Sequence, residues 1–327
     1  MAARPLRGDH HVDSADPLVV DFDLQTLRGR YTSIEDFYIR NHFDTPMGPG
    51  DGLLQVQGEV KKPLKLALAD LDRLSTENVG AVLECAGNGT GPRALASNGL
   101  WQGWRLADVV SMAQPTREGK FLHLMGRDGF ARSVPLEGAL ANGMLATKLD
   151  HQLLRPHHGK PWRALFPGWY GMDSVKWLER IEVSREPLPA VGNTYLKLSS
   201  TPSGQIERAP LPPIQVKSIM TFPTAGAVLK PGAVQVAGVA WSGVAPVAKV
   251  DVSADGGQTW QQAKLDPGAR YEWALWRCSL TLVKRGVVEL ACRATDASGN
   301  AQPSTRDATR IDGYVNNLIE HVRCLVV

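Results

Sequence analysis

AVQVAGVAW (233–241), AKVDVSADGGQTW (248–260), YEWALWRCSLTL (271–282) and VVELACRATDASGN (287–300) succeed one another with only turn residues between them. Each is rich in β-branched or aromatic residues, which fit a pleated and half-buried surface. Asp255-Gly256-Gly257 and Lys284-Arg285-Gly286 both read as hairpin turns, because glycine reaches the positive φ that tight hairpins need. Short strands at regular spacing, without helical periodicity between them, predict an all-β sandwich over the C-terminal part of the chain.

Toward the N-terminus, EPLPAVG (186–192) and APLPPIQ (209–215) are Pro-rich connectors. They place a domain boundary near 205, giving domains 1–205 and 206–327. The first domain mixes its elements. LLQVQGEV (53–60) reads as a strand, LKLALADLDRL (64–74) has helical spacing, and VGAVLECAGNG (79–89) is an apolar strand running into a Gly-rich turn. LADVVSMA (106–113) reads as a helix, and GKFLHLMGR (119–127) and ARSVPL (131–136) as strands around a turn at Asp128-Gly129. The class is therefore α+β. Strict βα alternation and a G-x-G-x-x-G motif are both missing, which argues against a dinucleotide-binding fold.

With 327 residues, 43% apolar and 21% charged, the chain can bury two cores. A net charge of +3 is too small to argue for nucleic acid, yet compatible with a basic pocket for one anion. No run approaches the ~18 apolar residues of a membrane helix, and MAARPLRGDHHVDSADPLVV (1–20) has neither an apolar leader core nor a twin arginine. The expectation is a cytoplasmic location, or a periplasmic one if an export signal has been removed. Cys85, Cys278, Cys292 and Cys324 form no C-x-x-C pair, so zinc ribbons, thioredoxin chemistry and c-type haem lose support. Cys278 and Cys292 flank the second hairpin signal; a bridge between them is sterically open, but buried free thiols are favoured.

Chemistry concentrates in three places. In Glu84-Cys85-Ala86-Gly87-Asn88-Gly89 a cysteine ends an apolar strand before small residues that let a ligand approach the backbone. Such a thiolate can be a nucleophile, a soft-metal ligand or an inert buried group. Tyr38-Ile39-Arg40-Asn41-His42 gathers a guanidinium, an amide and an imidazole, either as a solvated loop or as a site for a phosphate-like anion. His157-His158-Gly159-Lys160-Pro161-Trp162-Arg163, continuing through Phe166-Pro167-Gly168-Trp169-Tyr170-Gly171 to Ser174-Val175-Lys176-Trp177, interleaves basic residues with Gly, Pro and aromatics. It reads as a surface loop or a ligand site; zinc would need further ligands at matching spacing.

Taken together and in this order, these segments resemble the sulfite oxidase family. VKSIMTFP (216–223), VAGVAWSG (236–243), VDVSADGGQTW (250–260), RATDASGNAQP (293–303) and GYVNN (313–317) likewise resemble that family's immunoglobulin-like dimerisation domain. The resemblance spans about residues 35 to 325. It implies a sulfite-oxidase-type molybdopterin-binding fold followed by the sandwich, and molybdenum held by the dithiolene of one pyranopterin and by a protein thiolate. Cys85 matches the thiolate. Arg40, Asn41, His42, His158, Arg163, Ser174 and Lys176 match cofactor-binding positions, with Arg40 also facing substrate.

The resemblance implies a two-electron oxygen-atom transfer on sulfite or a related small sulfur compound. It further implies a homodimer, and a separate electron-transfer partner such as a cytochrome, since no haem-attachment motif is present. A reductase of nitrate or a sulfoxide, and a non-catalytic cofactor-binding dimer, are the alternatives. Three positions depart from the family's pattern: Thr90 and Asp312 stand where arginines are expected, and Thr147 where a tyrosine is expected. Arg93, Arg105 or Tyr170 could compensate.

Overall fold

The protein is described from a computed structural model that covers residues 11–48, 50–189 and 195–327. The N-terminal ten residues and the end of the EPLPAVG connector, both read above from sequence, lie outside the described residues. Two compact units divide the chain. The first takes residues up to Asp21, Ser33–Cys85 and everything from Gly99 to the connector; the second takes Phe22–Thr32, Ala86–Asn98 and Tyr195–Val327. Position 205 lies inside the second unit, between Leu196–Ser200 and its antiparallel partner Ile206–Pro210.

In the first unit, a five-stranded sheet runs in the order Ala131–Pro135, Phe121–Gly126, Leu178–Ser184, Leu54–Gly58, Leu64–Leu66. Only Leu178–Ser184 and Leu54–Gly58 are parallel, with Ile181 opposite Val56. Leu54 and Val56 are fully buried while Gln55 is exposed, the period-two alternation of a strand with one wet face. A second sheet joins Gln152–Leu153, Met144–Leu149, Ala96–Arg105 and Glu77–Glu84, with Arg163–Leu165 also on Met144–Leu149. The core between these elements includes Leu122, Leu145, Trp162, Phe166 and Ile181.

LKLALADLDRL does not form a helix. Leu64–Leu66 is an edge strand in register with Leu54–Val56, and only Leu68–Leu71 coils, as a short 3-10 turn. Asp70 Oδ2 accepts from the Ala67 amide at 2.7 Å, which closes the strand and starts that turn. Leucines at 64, 66 and 71 satisfy either periodicity, and pairing with a neighbouring strand decided between them. The helix expected at 106–113 is present as Leu106–Ser111, and an unanticipated helix, Leu136–Asn142, follows Pro135.

The second unit contains a sandwich. One sheet orders Lys217–Phe222, Gly232–Trp241, Ala274–Leu282 and Lys264–Asp266; the other orders Val228–Leu229, Glu320–Val326, Gly286–Asp296, Val247–Ser253 and Gln261–Gln262. Ala274–Leu282 buries alternate residues throughout its second half, and Val236, Val250, Trp276 and Leu290 meet in the core between the sheets. Asp255-Gly256-Gly257 does turn a hairpin, with φ of 70° and 95° at the two glycines. Lys284-Arg285-Gly286 does not: it carries the chain from one sheet to the other, since Ala274–Leu282 and Gly286–Asp296 pair with different partners. Cys278 and Cys292 therefore lie on facing sheets, as free buried thiols whose pKa values burial raises. No helix among the described residues is long and apolar enough to cross a membrane.

Glu320 is the unusual group in this core. It is 7% exposed, and its carboxyl, which accepts from the Met220 amide at 2.8 Å, is pushed by burial up to about 7. An unfolded glutamate releases its proton near ~4.3, so between that pH and about 7 the folded state holds a proton that the unfolded state has lost. Stability is present below this window and falls as pH rises through it. Denaturant midpoints measured from pH 4.5 to 8 are expected to fall less steeply for Glu320→Gln than for the wild type. Parallel curves would show that burial does not keep this proton.

Candidate functional site

Ile39–Arg40 pairs with Leu18–Val20, Arg40 opposite Val19, and the Asn41 amide then donates to the Leu18 carbonyl at 3.0 Å. This ladder turns the Asn41 side chain inward, where it is fully buried. Its Oδ1 accepts from Lys176 Nζ, and its Nδ2 donates to Thr45 Oγ1 at 2.9 Å. Lys176 Nζ also donates to the His157 carbonyl at 3.0 Å and lies 4.5 Å from the centre of the Trp177 ring. Thr45 Oγ1 in turn lies 3.4 Å from His157 Nδ1.

A second network adjoins the first. The Arg163 guanidinium, buried with its residue 4% exposed, donates to the carbonyls of His158 (3.3 Å) and Ser174 (2.8 Å) and stacks on Trp101 at 5.2 Å. Ser174 Oγ accepts from the Phe166 amide at 3.1 Å, and His158 Nε2 donates to the Ile34 carbonyl at 3.1 Å. Gly159 sits between the two networks at φ +101°; a Cβ there would lie 3.0 Å from Lys176 Cβ and 3.2 Å from Arg163 Cβ. That favours the glycine of the H-G-x-P motif: the backbone angle strains any other residue, and the neighbouring Cβ atoms would have to give way to a side chain.

The electrostatics share one direction. Burial lowers His158 to about 3 and Arg163 to about 10. Lys176 is held well below the ordinary lysine value by burial, then by Arg163 and Arg40, with Asp128 opposing. Burial and Arg40 lower His42, again against Asp128, whose own carboxyl burial raises. Cationic side chains are thus crowded where desolvation and mutual repulsion both disfavour their charge. An anion with several acceptor oxygens would relieve both, so the donor set fits a phosphate-bearing, acceptor-rich cofactor.

Cys85 follows the strand Glu77–Glu84, whose last four residues are buried. It is part-exposed, whereas Cys278, Cys292 and Cys324 are buried. A Cβ on Gly171 would lie 2.9 Å from the Tyr38 hydroxyl and 3.3 Å from the Glu84 carbonyl. The same glycine opens the short turn Gly171–Asp173, and its carbonyl accepts from the Ser174 amide at 3.1 Å. The strand end that carries Cys85, Tyr38 and the Ser174 network therefore converge on one residue.

Asn41 and Lys176 share a hydrogen bond, His158, Arg163 and Ser174 form the adjoining network, and Arg40 and His42 act on the cluster through charge. Asp128 was legible only as a turn former, and no sequence signal marked it as the carboxylate facing Lys176. Tyr38 stood within the quoted cluster without a role. Thr147 is buried, with its carbonyl taken by the Leu154 amide at 3.0 Å. Arg93 and Arg105 are exposed, while Tyr170 is buried at 3%. In the second unit, the Asp312 carboxylate binds Arg310 (2.6 Å) and accepts from the amides of Leu198 (3.0 Å) and Tyr314 (2.9 Å). It builds a turn where the resemblance called for an arginine.

Residues 42–191 match the model for the oxidoreductase molybdopterin binding domain, and residues 209–324 match that for the Mo-co oxidoreductase dimerisation domain. Sulfite oxidase of Gallus gallus is 32% identical over 334 residues, covering 90% of this chain and 73% of that protein. The chain belongs to the sulfite oxidase family. Mitochondrial sulfite oxidase of Homo sapiens is 33% identical, matching 82% of this chain but 56% of its own length. The sulfane dehydrogenase SoxCD from Paracoccus pantotrophus superposes with a TM-score of 0.87 at 26% identity, covering 95% of this chain and 85% of that one. As a member of this family, the chain is a molybdopterin-dependent oxidoreductase. Its matched cofactor domain takes in His42, Cys85, His158, Arg163, Ser174 and Lys176, while Arg40 and Asn41 lie just before it.

Gly159→Ala is expected to destabilise the first unit by about 1–2 kcal/mol from the left-handed backbone alone, and more once Lys176 and Arg163 are pushed apart. Gly29→Ala, with nothing within 4 Å and no positive φ, is the control. Unfolding midpoints for both variants would check this, and equal midpoints would refute the packing argument.

Proposed function

We propose that this chain oxidises sulfite or a related small sulfur compound by oxygen-atom transfer, with Cys85 as the molybdenum ligand and a separate protein as electron acceptor. The observation that carries the reading is the part-exposed Cys85 thiol at the end of a buried strand, beside a cluster of buried cationic donors. When bound, the cofactor supplies the oxygen-atom and electron chemistry. The chain's residues would bind, orient and neutralise: Asn41, His158, Arg163, Ser174 and Lys176 would hold the pterin and its phosphate, with His42 beside them. Arg40, at the end of its short strand, would face the substrate anion. A soft thiolate suits this metal, and a strand packed on Gly171 fixes its direction.

Sulfite is a dianion, and Thr90, Thr147 and Asp312 replace groups that would stabilise it. Each lost charged partner costs about 2 kcal/mol, or about thirtyfold in affinity. The likeness to a sulfane dehydrogenase supports a less charged sulfur substrate. A reductase reading draws on the nitrate reductase of Pichia angusta, 27% identical over 82% of this chain. We also propose that residues 206–327 act as the dimerisation domain and that the protein is a homodimer, to be checked by light scattering over a wide concentration range.

Metal analysis is expected to return about one molybdenum per chain, and Cys85→Ser to lose the metal's thiolate absorption together with turnover. Unchanged spectra in that variant would remove Cys85 from the metal. A screen of sulfite, reduced sulfur compounds, nitrate and sulfoxides, with artificial acceptors and donors, separates the two directions. The wild type is expected to show a high KM for sulfite, and Arg40→Gln to erase its preference for anions over neutral substrates. A low-micromolar KM for sulfite in the wild type would overturn this account of the pocket.

A further inference from the structure

Two motifs of the second unit have so far had no function: the Lys217 of VKSIMTFP and the Val315 of GYVNN. Both meet the turn that follows Cys85. Lys217 is a lysine only 2% exposed, and its Nζ donates to the Gly89 carbonyl at 2.9 Å. The ammonium also lies 6.0 Å from the centre of the Trp241 ring, and its charge acts on the Glu320 carboxyl. Val315, buried at 7%, has φ +59°, and its amide donates to the Ala86 carbonyl at 2.7 Å. Asp312 shapes the approach by accepting from the Tyr314 amide.

Both features cost free energy. A buried ammonium gives up its hydration, and a β-branched residue in the left-handed region is a true outlier. Strain of this kind persists where surrounding structure over-determines it, and it clusters at functional sites. Here both costs end on carbonyls of the same turn, Ala86 and Gly89, within four residues of the thiol. Asn88 Oδ1, accepting from the Leu95 amide at 2.9 Å, closes the turn from its other side. The peptide between Cys85 and Ala86 thus has one end on a buried strand and the other tied down by these donors.

We infer that Lys217 and Val315 are positioning residues that fix the turn after Cys85 and thereby aim its thiolate. This rests on the reading of Cys85 as the metal ligand. Removing Lys217 leaves the Gly89 carbonyl without this donor and costs stability under either role, so the absorption band and the split between kcat and KM are what separate positioning from a merely structural role.

The test uses full-length holoprotein with Lys217→Met, Lys217→Gln and Lys217→Arg, followed by hydrogen exchange of the 86–98 amides, the thiolate-to-molybdenum absorption band, and kcat with KM. For Lys217→Met, exchange within 86–98 is expected to rise about tenfold, as for the loss of one charge-assisted hydrogen bond. The band is expected to shift, and kcat to fall by more than KM changes. Lys217→Arg should restore part of each. Lys217→Gln, which keeps a shorter donor, should fall between, and it serves if the Met variant does not fold. Exchange and band both unchanged in a folded variant would overturn the proposal. Faster exchange with an unmoved band, while Cys85→Ser still abolishes that band, would overturn it and leave the ligand assignment standing. A band that survives Cys85→Ser would overturn both.

Discussion

The hydrogen bond from Lys176 to Asn41 is the constraint around which the candidate site is arranged. Burying an ammonium beside two guanidinium groups is unfavourable, so the fold must direct its three protons with care. Asn41 and the His157 carbonyl take two of them, and the Trp177 face lies nearby. Asn41 can accept only because the strand pairing at Arg40 and Val19 turns it inward. Gly159 then lets Lys176 and Arg163 approach the same short segment. The result is a preorganised set of donors with a deficit of negative charge, which is how proteins hold polyanionic ligands without rearranging to meet them.

Cys85 belongs to a different kind of constraint. Its strand is buried in the first unit, and the residues after it belong to the second. A thiolate ligand needs a direction more than it needs a field, and direction comes from fixing the backbone on both sides. The strand does this from one side; the donors on Ala86 and Gly89 do it from the other. On the proposed reading of Cys85 as the metal ligand, the ligand turn is thus held by its backbone on both sides.

The replacements at 147 and 312 also acquire a physical character. Asp312 is neutralised by Arg310 and by backbone amides, so it presents no uncompensated negative charge. Thr147 is buried by the sheet it lies in. On the proposed sulfur-oxidising reading, such replacements would relax selectivity for a dianion instead of inverting it.

Much of this protein was legible in its residues. Strand-like composition between turn signals marked 53–60, 119–127, 233–241 and 248–260, because such composition is written locally. Glycines at 256 and 257 marked a hairpin for the same reason. The order of Arg40-Asn41-His42, the Cys85 turn, His158-Gly159 and Ser174-Val175-Lys176 was enough to indicate a cofactor family. Tertiary structure decided what local pattern leaves degenerate. Leu64 to Leu74 suited helix and strand equally until Leu54–Gly58 offered an edge. Lys284-Arg285-Gly286 looked like a hairpin, yet the flanking strands each had one apolar face, and closing a core between two sheets required them to part. Asp128 was legible as a turn former, and Lys217 and Val315 stood inside quoted motifs, but their roles carried no signal, because what each does depends on a charge or a carbonyl brought near it from elsewhere in the chain, and proximity of that kind exists only after folding.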